Sequence, residues 1–127
     1  MSLTDSWPVR AVALASFGYS AAITVAPRVL AKPCGLLDQD GQVPPATAGL
    51  IRATGMRDAT LAVLLALAPA GGRMRRMTIA RVICDGSDAC WFAQLAPPGQ
   101  RLKIGGVAAT WALLQVAVEL AANHGRD

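Results

Sequence analysis

Four stretches of mostly apolar residues, each about 20 residues long, set the main constraint on how this chain can fold. They cover residues 9–30, 47–68, 77–97 and 104–122. A helix of that length spans the ~30 Å of hydrocarbon in a bilayer, and the alanine and leucine that dominate these stretches favour helix over strand. The pattern predicts an all-α fold, in which a single domain over residues 1–127 forms a four-helix transmembrane bundle.

The low charge of the chain excludes several broad classes of protein. Only 16% of the residues are charged, whereas a soluble domain averages about 25%. A disordered segment needs high net charge and low hydrophobicity, and this chain has the reverse composition. The chain is also 54% hydrophobic, and a domain of this size has little interior in which to bury so many apolar residues. We therefore expect an integral membrane protein in contact with lipid rather than an ordinary soluble domain.

Proline and glycine mark the connections between the four stretches. The second and third connections are short, so neighbouring helices are expected to form antiparallel hairpins. The first connection, residues 31–46, is long enough to carry a short interfacial helix or a lid. The first stretch also has the apolar core of a signal peptide, but Asp5 before Arg10 and the length of the core favour a retained helix.

Basic residues are distributed as expected around membrane segments, and their pattern argues against a nucleic-acid partner. The net charge is +4, and the one dense basic group is Arg73, Arg75 and Arg76. One side of the predicted bundle carries Arg10, Arg73, Arg75, Arg76 and Arg126, and the other carries Arg28, Lys32, Arg101 and Lys103. This small excess favours both termini in the cytoplasm. The expected location is an inner membrane of bacterial type.

The sequence predicts neither a metal site nor a cofactor. Cys34, Cys84, Cys90 and His124 lack the spacing of zinc ligands, and the cysteines are expected to be small buried apolar residues. The string from Asp85 to Asp88 lacks the further oxygen ligands of a calcium loop. That acidic pair resembles a magnesium and diphosphate site of prenyl-processing enzymes, but the sequence has only one such pair.

Seven ionisable residues fall inside the predicted spans, where a central Arg or Asp costs about +2.5 to +3.5 kcal/mol on the insertion scale. They are Arg52, Arg57, Asp58, Arg81, Asp85, Asp88 and Glu119. Arg81, Asp85 and Asp88 lie at positions i, i+4 and i+7 and share one face of a helix. Charges inside a membrane usually face the bundle interior and mark function.

The depth of these residues along the helices predicts that they meet in three polar layers. Counted from Ala68 and Met77, the middle layer lies eight to eleven residues in, or ~12–17 Å. Its charged members are Arg57, Asp58, Asp85 and Asp88, and Tyr19 and Gln115 are expected at a similar depth. Glu119 is expected to pair with Arg81 on one side of this layer, and Arg52 with Gln94 on the other.

The second and third stretches resemble a known family. The element Gly55-Met56-Arg57-Asp58, followed by Ala- and Leu-rich sequence, basic residues, and then Asp85 and Asp88, resembles a family of small four-pass integral membrane proteins of unknown function. It is also distantly similar to the DoxX-like four-helix proteins. The resemblance covers roughly residues 47–95, about 40% of the chain. It implies a four-helix membrane bundle and transfers no catalytic role.

The charged layer predicts a site that binds or converts a lipophilic small molecule by acid–base chemistry of the cyclase or isomerase type. Two carboxylates one helical turn apart cannot both stay ionised cheaply, so Asp85 or Asp88 is the expected proton donor, held in place by Arg57 and Asp58. Further candidates for ligand binding are Tyr19, Arg52, Arg81, Trp91, Gln94, Trp111, Gln115 and Glu119.

Two other functions remain open at this point. The same carboxylates would serve a proton- or ion-coupled carrier, which would act as a homo-oligomer because four short helices enclose little volume. Alternatively, the charges pair only to hold the helices together, in a non-catalytic accessory membrane subunit.

Overall fold

The structure, a computed structural model, describes residues 6–124, with side chains as far as residue 121. These residues form five helices and no strand: α1 (Trp7–Val25), α2 (Arg28–Ala31), α3 (Pro45–Leu67), α4 (Gly72–Leu95) and α5 (Pro98–His124). The prediction of an all-α fold is confirmed. Within the described part, two helices, α1 and α5, are long and apolar enough to cross a membrane. α5 is the stronger candidate for a membrane span, because α1 lies near the N-terminus, where a signal sequence would have the same length and composition.

The first predicted helix is broken at a proline. α1 ends at Val25 instead of continuing to residue 30, and α2 follows as one short turn. Ala26 has φ −127° and ψ 81°, outside the helical region, because a proline ring disfavours helical backbone in the residue before it. Pro27 itself adopts φ −53°, which suits the start of a helix, so the chain resumes a helical turn in a new direction.

Two predicted helix starts, at residues 77 and 104, are too late. α4 begins at Gly72 and α5 at Pro98. The expected starts followed the edge of the apolar sequence, but arginine is a good helix former, so Arg73, Arg75 and Arg76 extend α4. α5 begins at Pro98, and a proline is acceptable there because the N–H groups of the first helical turn have no hydrogen-bond partner within the helix.

The four long helices pack as two pairs. α1 packs along α3, and α4 packs along α5; the two pairs then meet less extensively along α3–α4 and α1–α5. The chain turns from α3 to α4 within residues 68–71 and from α4 to α5 within residues 96–97, as the short connections predict. The short helix α2 lies against α1 and α3.

The close approach of α1 and α3 depends on Gly55. A methyl group added at Gly55 would lie 2.8 Å from the carbonyl oxygen of Ser20 and 3.0 Å from Cγ1 of Ile23, and it would overlap the hydroxyl of Thr24. A residue without a side chain is therefore needed where the two helices cross.

Two apolar clusters lie at opposite ends of the bundle. At the end where α3 turns into α4, Val9, Ala13, Leu65, Ala68 and Met74 are buried together. At the other end the buried cluster consists of Ile23, Ala31, Ile51 and Phe92. Polar side chains of α3, α4 and α5 lie between the clusters, and we call the level that they occupy the polar layer.

Large apolar side chains also cover much of the outer surface. Among the described residues, exposed examples occur on every long helix, such as Phe17 on α1, Leu64 on α3, Ile83 on α4 and Leu113 on α5. In the most apolar 18-residue segment of α5, only 6% of the residues are buried. A helix that is both apolar and exposed needs a covering of lipid or of another protein, because a soluble monomer rarely leaves such a surface in water.

Replacing Gly55 by alanine is expected to lower the free energy of unfolding by about 1–3 kcal/mol, the usual cost of overpacking a close contact. Thermal unfolding in a mild detergent measures the change. Gly49→Ala, in the same helix, is the matched control, because its methyl group meets nothing within 4 Å. It should leave stability unchanged or raise it by up to about 1 kcal/mol through helix propensity. Equal melting temperatures for the two variants would contradict the close crossing.

Candidate functional site

The polar layer is built from facing positions on α3, α4 and α5. Arg57 and Asp58 lie near the middle of α3, Asp85 and Asp88 lie near the middle of α4, and Gln115 faces them from α5. The hydrogen bonds divide these side chains into two groups. One group joins α3 to α4, and the other joins α4 to α5.

Arg57 is the centre of the first group. Its guanidinium donates from Nη2 and Nε to Asp58 Oδ1, at 2.8 and 3.1 Å. It also donates from Nη1 to Asp88 Oδ1 at 3.2 Å and from Nη2 to Asp88 Oδ2. The two bonds to Asp88 form the bidentate fork that arginine makes with carboxylates, and they connect the two helix pairs. We call Arg57, Asp58 and Asp88 the Arg57 cluster.

The Arg57 cluster is accessible from outside the bundle and carries an excess of negative charge. The side chain of Arg57 is 40% exposed and that of Asp88 is 22% exposed. One guanidinium lies between two carboxylates, and Asp58 also lies within electrostatic range of Asp85. The formal charge of the cluster with both carboxylates ionised is therefore −1.

The second group is more deeply buried. Arg81, which is 3% exposed, pairs with Asp85 at 3.6 Å between Nε and Oδ2. Gln115 Nε2 donates to the same Asp85 oxygen at 2.6 Å. At 3.6 Å the Arg81 contact is an ion pair and too long for a hydrogen bond. Among the described residues, Nε and Nη1 of Arg81 and Oε1 of Gln115 are left without hydrogen-bond partners.

Glu119 contacts a residue that the sequence interpretation missed. Thr78 donates from Oγ1 to Glu119 Oε2 at 3.2 Å and to the carbonyl oxygen of Met74 at 3.1 Å. Thr78 lies three residues before Arg81, so its place on the same helix face could have been read from the spacing. Ser16 was also missed: it is buried on α1, and its hydroxyl has no partner among the described residues.

Arg52 and Gln94 do not form the pair that was expected between them. Arg52 donates from Nε to the carbonyl oxygen of Thr24 at 3.3 Å. The carbonyl oxygen of Gln94 accepts from Arg101 at 3.4 Å. Within the described residues, no hydrogen bond or ion pair joins Arg52 to Gln94. Equal depth on two helices brings side chains together only where both also face the shared interface.

The aromatic candidates lie on the outside of the bundle. Tyr19, Trp91 and Trp111 are all exposed. Trp91 follows Asp88 by one helical turn, so it lies near the Arg57 cluster. Their positions suit contact with lipid, or with a molecule held on the surface of the bundle, better than the lining of an enclosed cavity.

The interior itself holds a cavity of about 10 Å³, where all four long helices meet. Its lining residues are Val9, Val12, Leu65, Thr78, Gln115 and Val118. A single water molecule needs about this much space. A lipophilic molecule is far larger, so any such ligand would have to bind elsewhere or open the bundle.

Comparison with models of known protein families, with characterised proteins and with solved structures finds no match to this chain. The resemblance to small four-pass membrane proteins therefore stays a prediction. The roles expected for the site residues rest on the geometry of the two groups described above.

Removing one partner of the Arg81–Asp85 pair is expected to destabilise the protein strongly. Asp85→Asn removes the counter-charge of a buried arginine, and breaking a buried pair in this way typically costs about 3–5 kcal/mol. Thermal unfolding in detergent should therefore show a large loss of stability. The double variant Arg81→Met/Asp85→Leu removes both charges and should recover most of it.

Asp88→Asn serves as the comparison, because Arg57 keeps Asp58 and is partly exposed. Its cost should not exceed about 1 kcal/mol, the upper range for exposed ion pairs. Equal losses for Asp85→Asn and Asp88→Asn would contradict the division of the layer into a buried group and an accessible one.

Proposed function

We propose that the chain is an integral membrane protein in which α1, α3, α4 and α5 all cross the bilayer as one bundle, in an inner membrane of bacterial type. The apolar, exposed surface of α5 is the observation that most favours this placement. α3 and α4 have 23 and 24 residues, enough to span ~30 Å of hydrocarbon. Neither is apolar enough to do so alone, and the pairing of their charges with each other offsets this deficit.

Within this bundle, we propose that the Arg57 cluster binds a lipophilic small molecule through a polar head group. The supporting observation is the partial exposure of Arg57 and Asp88 near the middle of two helices. A partly exposed ion pair at that depth is costly beside hydrocarbon. A ligand whose polar group meets the cluster, and whose apolar part lies along α3 and α4, would remove that cost.

The charge of the cluster favours a ligand with a cationic group or a hydrogen-bond donor. Two carboxylates share one guanidinium, so a positive or donor group on the ligand would restore neutrality, whereas a carboxylate would add a third negative charge. The exposed face of the Arg57 cluster, between α3 and α4, is the proposed location, since the cavity between the four helices has room for only about one water molecule.

The reaction that fits these residues is a cofactor-independent isomerisation or cyclisation. Asp88 is the proposed proton donor or acceptor, because it is accessible and its partner Arg57 also binds Asp58. Asp85 is the weaker candidate, since Arg81 and Gln115 hold it inside the bundle. Arg57 and Asp58 would position Asp88.

Binding can be tested by thermal unfolding in detergent with three probes of matched chain length: decylamine, decanol and decanoate. Decylamine is expected to stabilise the protein most and decanoate least. At about a hundredfold excess over its Kd, a ligand adds about 2.7 kcal/mol. Asp88→Asn should remove most of the stabilisation by decylamine, whereas Asp40→Asn, which changes an exposed loop carboxylate, should keep it. Equal shifts in both variants would contradict binding at the cluster.

A non-catalytic accessory subunit is the second candidate. It is favoured by the observation that each of the seven charged residues inside the predicted spans has a polar partner within the chain, together with the very small cavity. In that case none of the three probes would change the melting temperature. A proton flux in liposomes that Asp88→Asn abolishes would instead support the carrier.

The membrane placement can be tested with the native cysteines and a charged maleimide. Cys90 is exposed on the surface of α4, so in water it should react quickly. If α4 crosses a bilayer, hydrocarbon covers Cys90 and its labelling in open membrane fragments should be slow until detergent denatures the protein. Cys34 is buried, and burial raises the pKa of its thiol, so little of the reactive thiolate forms at neutral pH.

The control for access is Asp40→Cys in the exposed loop before α3, which should be labelled quickly in the same membranes. Rapid labelling of Cys90 in intact fragments would contradict a membrane-spanning α4. Cys90→Ser identifies the contribution of Cys90 to the total signal.

A further inference from the structure

Three arginines at the start of α4 form a basic patch that the proposed function does not use. Arg73, Arg75 and Arg76 lie in the first turns of α4, directly after the α3–α4 turn, and all three are exposed. We propose that this patch, called here the arginine patch, binds the phosphate groups of anionic membrane lipids. The proposal rests on the membrane placement proposed above.

The arginine patch differs from the other described arginines, because its side chains have no partner among the described residues. Arg10 donates to the carbonyl oxygens of Ala66 and Ala68, and so provides hydrogen-bond donors to two carbonyl groups at the end of α3. The remaining arginines of the described region also donate to or pair with groups of the protein: Arg28, Arg52, Arg57, Arg81 and Arg101. Within that region, no hydrogen bond or ion pair involves the guanidinium groups of Arg73, Arg75 or Arg76. Their charge is left for something outside the chain.

Acidic residues are absent from the sequence around the patch. No Asp or Glu occurs between Asp58 and Asp85, and the first turn of α4 contains none. The residue before α4 is Gly71, which has no side chain to cap the free amides of the first turn. The positive end of the helix therefore adds to the charge of the arginines, and an anion is the complementary partner.

The position of the patch indicates that the anion belongs to a lipid. Leu67, the last residue of α3, is exposed, and so is Trp7 at the start of α1. Val9 and Met74 pack in the same cluster, so Trp7 and the patch lie at the same end of the bundle. Tryptophan beside arginine at the end of apolar helices is typical of the level at which lipid head groups lie.

The size of the patch favours lipid over nucleic acid. The three arginines fall within about one helical turn, whereas nucleic-acid binding proteins present basic residues along a whole face. Each basic residue near an anionic membrane surface contributes about 1 kcal/mol of attraction. Three arginines therefore correspond to a change in affinity on the order of 100-fold.

The test measures energy transfer from the tryptophans of the purified protein to dansyl-labelled phosphatidylglycerol in zwitterionic mixed micelles. The triple variant Arg73→Gln/Arg75→Gln/Arg76→Gln should bind this lipid on the order of 100-fold more weakly than the unmodified protein. Replacement of the same three residues by lysine should largely preserve binding, because the charge is kept. Dansyl-labelled phosphatidylcholine should show no difference among these proteins.

The matched control is Lys32→Gln/Lys103→Gln, which removes two exposed charges from outside the patch and should leave binding unchanged. Equal binding by the unmodified protein and the triple glutamine variant would overturn the proposal. So would displacement of the lipid by inorganic phosphate at constant ionic strength, which would assign the patch to the free anion. The labelling of Cys90 reports the membrane placement separately, so protection of Cys90 with no loss of lipid affinity overturns this inference alone.

Discussion

The ion pair between Arg57 and Asp88 connects two halves of the fold that otherwise meet through apolar contacts at the two ends of the bundle. α1 and α3 can approach closely because Gly55 has no side chain, and α4 and α5 form the other close pair. The two pairs touch much less, and the side chain of Arg57 adds a bidentate contact from α3 to Asp88 on α4. An arginine suits this place because its fork binds a carboxylate on the far helix while its stem remains on apolar surface.

The same arrangement explains why the charges are not distributed evenly. Apolar clusters lie at both ends of the bundle, and the polar layer lies between them. Arg81 and Asp85 are buried within the α4–α5 pair, where a second polar partner, Gln115, shares the carboxylate. Arg57 and Asp88 lie at the boundary between pairs and remain accessible. One pair is therefore suited to holding helices together, and the other is suited to meeting a molecule from outside.

Depth along the helices could be predicted from the sequence, but rotation about the helix axes could not. Counting residues from the α3–α4 turn correctly places Arg57 opposite Asp88, and counting along α5 places Gln115 beside Asp85. The same count fails for Arg52 and Gln94, because it carries no information about which way each helix faces. It also gives no means of choosing Thr78 over Arg81 as the hydrogen-bond donor to Glu119.

The helix boundaries show a related limit. Apolar sequence locates the part of a helix that packs or meets lipid, whereas the ends are decided by local backbone chemistry. Pro27 ends one helix and begins another inside a stretch that is apolar throughout. At the start of α4 the reverse holds, since polar arginines continue the helix beyond the apolar segment.

That extension has a physical consequence for the whole bundle. Because the arginines continue α4 past its apolar part, they are carried on a helix near the end of α3 and not on the connecting turn. Their charges are therefore held in a fixed position relative to the helices, unlike charges on a flexible loop. In the proposed membrane placement, attraction of these arginines to anionic head groups would oppose displacement of α4 along the membrane normal. It would thereby help to keep Asp88 level with Arg57 in the middle of the bundle, where the membrane disfavours charge.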